Sequence, residues 1–95
     1  MKKDTNMTTH ATHPAIIKRL RRAHGHLNSI ITMLEEERAC LDIAQQLQAV
    51  ESAIANAKKV LVQDHIDHCL ELAVRDRARS SDEVVREFKA IAKYL

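Results

Sequence analysis

The sequence predicts an all-α fold of three helices, and three observations carry that expectation. The chain has 95 residues with one glycine, one proline and 2% aromatic residues, so the signals for strands and tight turns are nearly absent. Along two long segments apolar residues recur at alternating intervals of four and three, which lays one stripe along a helix. A shorter stripe of the same kind closes the chain.

Each element follows from local chemistry. Residues 1–12 are polar, carry no apolar period and read as a flexible arm in front of a helical domain, residues 13–95. The arm holds His10, and His13 flanks the first helix, in a His-Ala-Thr-His-Pro run. Pro14 opens that helix, because a first-turn N–H has no intrahelical partner to lose. Thr12 or His13 caps it. Ile16, Leu20, Ala23, Leu27, Ile30 and Leu34 then form the stripe, to about Glu36, and Gly25 interrupts it at a cost of about 1 kcal/mol. The polar run from Glu35 to Arg38 is a short connection, which makes the flanking helices an antiparallel hairpin.

The second helix, residues 40–73, contains neither glycine nor proline, and Ile43, Leu47, Val50, Ile54, Ala57 and Leu61 form its stripe. At about 1.5 Å per residue it reaches roughly 51 Å against about 35 Å for the first helix, so it overhangs. Arg75 to Ser81 is a polar break. Ser80 and Glu83 then have the spacing of a capping box, and Val84, Phe88, Ile91 and Leu95 make the third stripe.

With Phe88 and Tyr94 as its aromatics, so small a chain buries little core alone and calls for a metal or a partner chain. No segment approaches the roughly 20 apolar residues of a membrane span, and the polar, lysine-bearing start is not that of a signal peptide. A cytoplasmic protein without membrane contact is expected. In a reducing compartment its two cysteines are ligands, redox-active thiols or core residues rather than a disulfide.

The chemistry sits where the second stripe runs out. His65 and Cys69 are four residues apart and stack one turn above the other. Such a pair also occurs as a core histidine beside a buried cysteine, since free cysteine packs as a small hydrophobe. Cys40 turns attention to a metal. It stands at the other end of the same helix, roughly 37 Å from His65, whereas metal ligands lie about 2.0 to 2.3 Å from the ion. One site therefore requires either a sharp fold-back or a second chain. An antiparallel pair of these helices crossing near Ala53 brings Cys40 of one chain to His65 and Cys69 of the other, with Ala49, Ala53 and Ala57 leaving room. His24 and His26 read as surface residues, and His68 as a surface or outer-shell residue.

The net charge of +2 is less informative than its distribution. Lys18, Arg21 and Arg22 lie opposite the first stripe, Arg19 lies on its flank, and no acid occurs from Pro14 to Asn28. A charge run is most simply a solvated face, yet four cations multiplied by symmetry make a broad anion-binding surface. Double-stranded DNA fits that surface, although no helix-turn-helix or zinc-finger spacing is present.

From Arg19-Leu-Arg-Arg-Ala-His-Gly25-His-Leu27, through Cys40 and Gln45-Gln-Leu-Gln-Ala-Val50, to His65-Ile-Asp-His-Cys69, the chain resembles the CsoR/RcnR family of bacterial metal-sensing repressors. The resemblance covers residues from about 14 to 95. It implies a three-helix protomer, an antiparallel homodimer forming a four-helix bundle, and assembly into a homotetramer. It also implies that the apoprotein binds operator DNA and that metal binding releases it, derepressing a metal efflux or resistance gene. Cys40, His65 and Cys69 fall on the family's three principal ligand positions.

Nickel and cobalt sensors add a histidine where Thr8 stands here, with His10 and His13 close by on the arm. Two thiolates and one imidazole suit copper(I), and a fourth nitrogen suits square-planar nickel(II). Copper-responsive members carry a tyrosine where this chain has Ala39, so nickel(II) or cobalt(II) is the favoured inducer and copper(I) the alternative. The family's helix-two arginine is replaced by Glu51, which leaves DNA affinity to Lys18, Arg19, Arg21 and Arg22, with Lys58 and Lys59. Formaldehyde- and persulfide-responsive relatives lack the cysteine or the histidine that this chain has at 69 and 65. The other classes considered are a helical metal-binding protein without DNA binding and a thiol enzyme pairing Cys69 with His65. For an enzyme the sequence offers neither an oxyanion-hole signal nor a substrate pocket.

Overall fold

A computed structural model describes residues 12–75 and 81–95 of the chain. Three helices form: α1 (His13–Glu35), α2 (Cys40–Arg75) and α3 (Ser81–Ala92). The described residues contain no strand. The proposed arm up to residue 11, with His10, lies outside them, as does the polar stretch 76–80 with Ser80. Contacts divide the chain into two units. One is the hairpin His13–Ala57; the other comprises Lys58–Leu95 and, among the described residues before α1, Thr12.

In the hairpin unit the core is a single row from each helix. Ile16, Ala23 and Ile30 of α1 are buried, as are Ile43, Val50 and Ala57 of α2. Ile30, Ile43 and Val50 form the centre, with Met33 packed against it. Each row repeats every seven residues, the seam along which two helices meet. The sequence stripes were twice as dense, and here the structure corrects them. The interleaved Leu20, Leu27, Leu34, Leu47, Ile54 and Leu61 stay 39–56% exposed. Two helices bury only the row that each turns toward the other, and the second row stays exposed.

The connection is a helix-terminating motif built on an unusual residue. Arg38 N–H donates to Met33 C=O at 3.0 Å and Glu37 N–H to Leu34 C=O at 3.1 Å, the paired bonds of a Schellman ending. Glu37 occupies its left-handed position, at φ 56°, where glycine is usual. A side chain there costs about 1–2 kcal/mol, while glycine gives back about 0.5–1 kcal/mol in chain entropy. Glu37→Gly is therefore expected to raise stability by up to about 1 kcal/mol, an increase of roughly 4–8 °C in Tm for a small domain. A lower Tm would show that the Glu37 side chain holds the connection by its own contacts.

Gly25 is the converse case. It is inside α1 with ordinary helical φ, and nothing lies within 4 Å of where a Cβ would stand. Gly25→Ala should add about 1 kcal/mol to α1, read as higher Tm and helicity. An unchanged Tm would indicate that another chain covers this position.

In the second unit Val62 and Cys69 of α2 are buried among the described residues. Leu61, the last residue of the expected stripe, is exposed while its neighbour Val62 is the buried one. α3 carries acidic residues Asp82 and Glu83 in its first turn and Lys89 in its last, the arrangement that suits the helix dipole. Val84 and Ile91 are half-buried, Phe88 is 38% exposed, and Leu95 lies beyond the helix end, exposed. No described helix is long and apolar enough to cross a membrane.

Candidate metal centre

Cys69 is buried at 3% exposure, and His65, one turn earlier on α2, is half-buried. Their four-residue spacing keeps both on one face of the helix. Two contacts tie this stretch to its surroundings. The Cys69 thiol reaches Glu87 Oε2 of α3 at 3.9 Å, a long contact for a sulfur donor. Next to His65, Asp64 Oδ2 accepts a hydrogen bond of 2.7 Å from the Thr12 hydroxyl. His68 is half-buried with Nε2 enclosed, so its placement on the surface is corrected.

Cys40 is the first residue of α2 and is exposed. It belongs to the hairpin unit, whereas His65 and Cys69 belong to the other. Among the described residues no three His, Cys, Asp or Glu side chains converge as a metal site. One chain thus presents a thiol and an imidazole together and a second thiol accessible from outside. That donor chemistry fits a soft metal, provided the remaining donor comes from elsewhere. His13, the first residue of α1, is half-buried.

The candidate DNA contacts separate into groups. Lys18, Arg19, Arg21 and Arg22 are exposed on α1, and Lys58 and Lys59 are exposed on α2 in the second unit. Within the hairpin, Arg19 and Arg22 line an open groove of about 360 Å³ with Ala23, His26, Ala53 and Asn56, and Lys18 and Arg21 do not. His26 is no isolated surface residue: its Nε2 lies 2.6 Å from Gln46 Oε1. Sequence reasoning missed His26, Gln46, Asn56 and the Thr12–Asp64 bond. Partners 20 and 52 residues apart leave no local periodic signal.

A short all-α chain, with an imidazole and a thiol one turn apart on one helix and a row of apolar residues left exposed, defines a small helical module. It belongs to the metal-sensitive transcriptional repressor family, whose model matches residues 12–93. Among curated proteins it is 42% identical to the copper-sensing transcriptional repressor CsoR of Mycobacterium ulcerans over 62 residues, 65% of this chain and 53% of that protein. It is 36% identical to the copper-sensing repressor RicR of Mycobacterium tuberculosis over 73 residues, 77% of this chain and 76% of that protein. The chain spans about half the length of the mycobacterial CsoR proteins it matches. Its fold is that of the nickel-responsive transcriptional regulator InrS, with a TM-score of 0.79 and 23% identity over 95% of this chain and all of that one.

Proposed function

We propose that this protein is a cytoplasmic, homotetrameric metal-responsive repressor: the apo form binds double-stranded operator DNA, and metal binding releases it. The observation that carries the proposal is the donor arrangement. His65 and Cys69 stand one turn apart on a packed face, while Cys40 is exposed at the far end of the same helix. An antiparallel partner supplies the missing thiol, and the uncovered row of leucines and isoleucines gives that partner a surface to bury. Membership of the repressor family and the cation-rich α1 support operator binding.

Nickel(II) or cobalt(II) is the inducer if the arm adds a nitrogen from His10 or His13 to the two thiolates and the imidazole. The second reading is copper(I), favoured by the relatives: the curated proteins above sense copper at 36–42% identity, and three soft donors satisfy that ion unaided. Either metal switches the protein only by binding the DNA-incompetent form more tightly. A 100-fold difference corresponds to about 2.7 kcal/mol of coupling.

Anaerobic titration of reduced apoprotein with nickel(II) and, in parallel, copper(I) tests the metal. Tight nickel binding at one ion per chain that weakens in His10→Ala or His13→Ala supports the first reading. Tight copper(I) binding indifferent to those substitutions, beside weak nickel binding, supports the second. Charge reversal at Arg21 and Arg22 tests the DNA partner. The expected result is lost affinity and a log–log salt slope shallower by about 1 for each phosphate contact removed. A protein that binds metal but shows no DNA affinity to lose would be a metal buffer.

A further inference from the structure

Thr12 directly precedes α1, and its hydroxyl makes a bond that starting a helix does not require. A threonine hydroxyl has one hydrogen to donate. Thr12 gives it to Asp64 Oδ2 at 2.7 Å, in a partly buried contact between residues 52 apart in sequence. Both partners are half-buried. Both also belong to the unit that carries His65 and Cys69, whereas α1 itself belongs to the hairpin. The chain is thus pinned to α2 just before it enters α1.

The position of the pin is what gives it a use. Asp64 is the residue before His65, and a helix advances only about 1.5 Å per residue, so the anchor stands at the imidazole end of α2 and far from Cys40. His13 follows Thr12 directly, and His10 comes two residues before it. Two residues of chain span at most about 7 Å. Either histidine is therefore tethered closely to a fixed point on α2. A short tether raises the effective concentration of a donor, and the gain falls as the tether lengthens. An arm nitrogen is also the donor that separates the two metal readings, since nickel(II) calls for it and copper(I) does not.

We propose that Asp64 is a positioning residue for the metal centre: through the Thr12 hydroxyl it holds the arm beside His65 and so sets the preference for nickel(II) over copper(I). Neither Thr12 nor Asp64 touches the ion. The selectivity role rests on the nickel reading given above; the anchor rests on the Thr12–Asp64 bond. Asp64 thereby acts on one metal and not the other, which a residue that merely stabilised the fold would not do.

The test titrates full-length reduced apoprotein anaerobically with nickel(II) and with copper(I) against a chelator. Thr12→Val keeps the shape of the side chain and removes its donor. It is expected to weaken nickel binding about tenfold, the lower end of what outer-shell partners are worth, and to leave copper(I) binding within about twofold. Asp64→Ala, which leaves the residue ahead of α1 intact, should do the same. The double variant should be no weaker than either single one, because both remove one bond. Thr12→Ser keeps the hydroxyl and Asp64→Asn keeps an acceptor oxygen, so both should stay near wild type. Thermal melts of the metal-free variants should show the same non-additivity, and additive losses of Tm would overturn the anchor. Equal losses for nickel and copper(I) would overturn the positioning role. So would a loss in Asp64→Ala and Asp64→Asn with none in Thr12→Val, which would mark Asp64 as acting by its charge or as a ligand. Nickel binding that depends on His10 or His13 but ignores Thr12→Val and Asp64→Ala would leave the nickel reading standing and the anchor refuted. Weak nickel binding by the wild type, indifferent to His10→Ala and His13→Ala, would overturn the nickel reading and the selectivity role with it.

Discussion

Cys69→Ala is expected to reduce metal affinity at least about 100-fold, since outer-shell groups alone are worth 10- to 100-fold and Cys69 is expected to ligate directly. In free energy that is about 2.7 kcal/mol or more. Metal-induced release of DNA should vanish with it, while apoprotein binding to DNA should persist. Cys69 is also buried, so the substitution removes a packed sulfur, and a stability loss on the order of 1 kcal/mol accompanies the binding effect. Thermal melts of the apoprotein separate the two contributions. His65→Ala, at a half-buried position, repeats the metal loss with less damage to packing. If metal affinity and metal-induced release were unchanged in Cys69→Ala, the site assignment would be wrong, whatever the thermal stability did.

Ile54→Asp is expected to dissociate the assembly and lower its stability by several kcal/mol. Ile54 is 46% exposed in the single chain, so in an isolated hairpin a charge there would cost little. In an antiparallel dimer crossing near Ala53, the same carboxylate is buried without a counter-ion, and an unpaired buried charge costs several kcal/mol. Sedimentation velocity and thermal denaturation at two protein concentrations distinguish these cases. Smaller particles with a concentration-dependent loss of Tm are expected. An unchanged mass would place the interface elsewhere and leave the uncovered row unexplained.

The helices were legible because their signals are local. Pro14 in the first turn, the four-three stripes and the short acidic connection set α1 and α2 within a few residues of where they lie. How deeply each stripe is buried was not legible. A periodic sequence marks every residue that is eventually covered, whether by its own chain or by another, and so Leu20 and Ile54 look the same as Ala23 and Val50. The shift of the buried face from Leu61 to Val62 was hidden for a related reason: it depends on what packs against α2.

In the candidate site, His65 and Cys69 stood out through spacing within one helix, and Cys40 through its residue type. Glu37 at positive φ gave no warning, because glutamate at a helix end ordinarily signals only solvent. The groove lined by Arg19 and Arg22 was half visible. Arg19 and Arg22 were singled out as cations, but their distinction from Lys18 and Arg21 comes from a facing helix more than 20 residues away in the sequence.

The central claim is that a complete site takes Cys40 from one chain and His65 with Cys69 from another. Mixing two inactive variants tests it most directly. Cys40→Ala and Cys69→Ala each lack a ligand in every site, alone or as homodimers. Co-refolded in equal amounts, they form mixed dimers in which one site receives the intact Cys40 of the Cys69→Ala chain and the intact His65 and Cys69 of the Cys40→Ala chain. Chelator competition under anaerobic conditions should then recover tight sites, one per mixed dimer, that neither variant shows alone. If the mixture binds metal no better than the separate variants while exchange of chains is verified by mass, the ligands belong to a single chain and the shared site is contradicted.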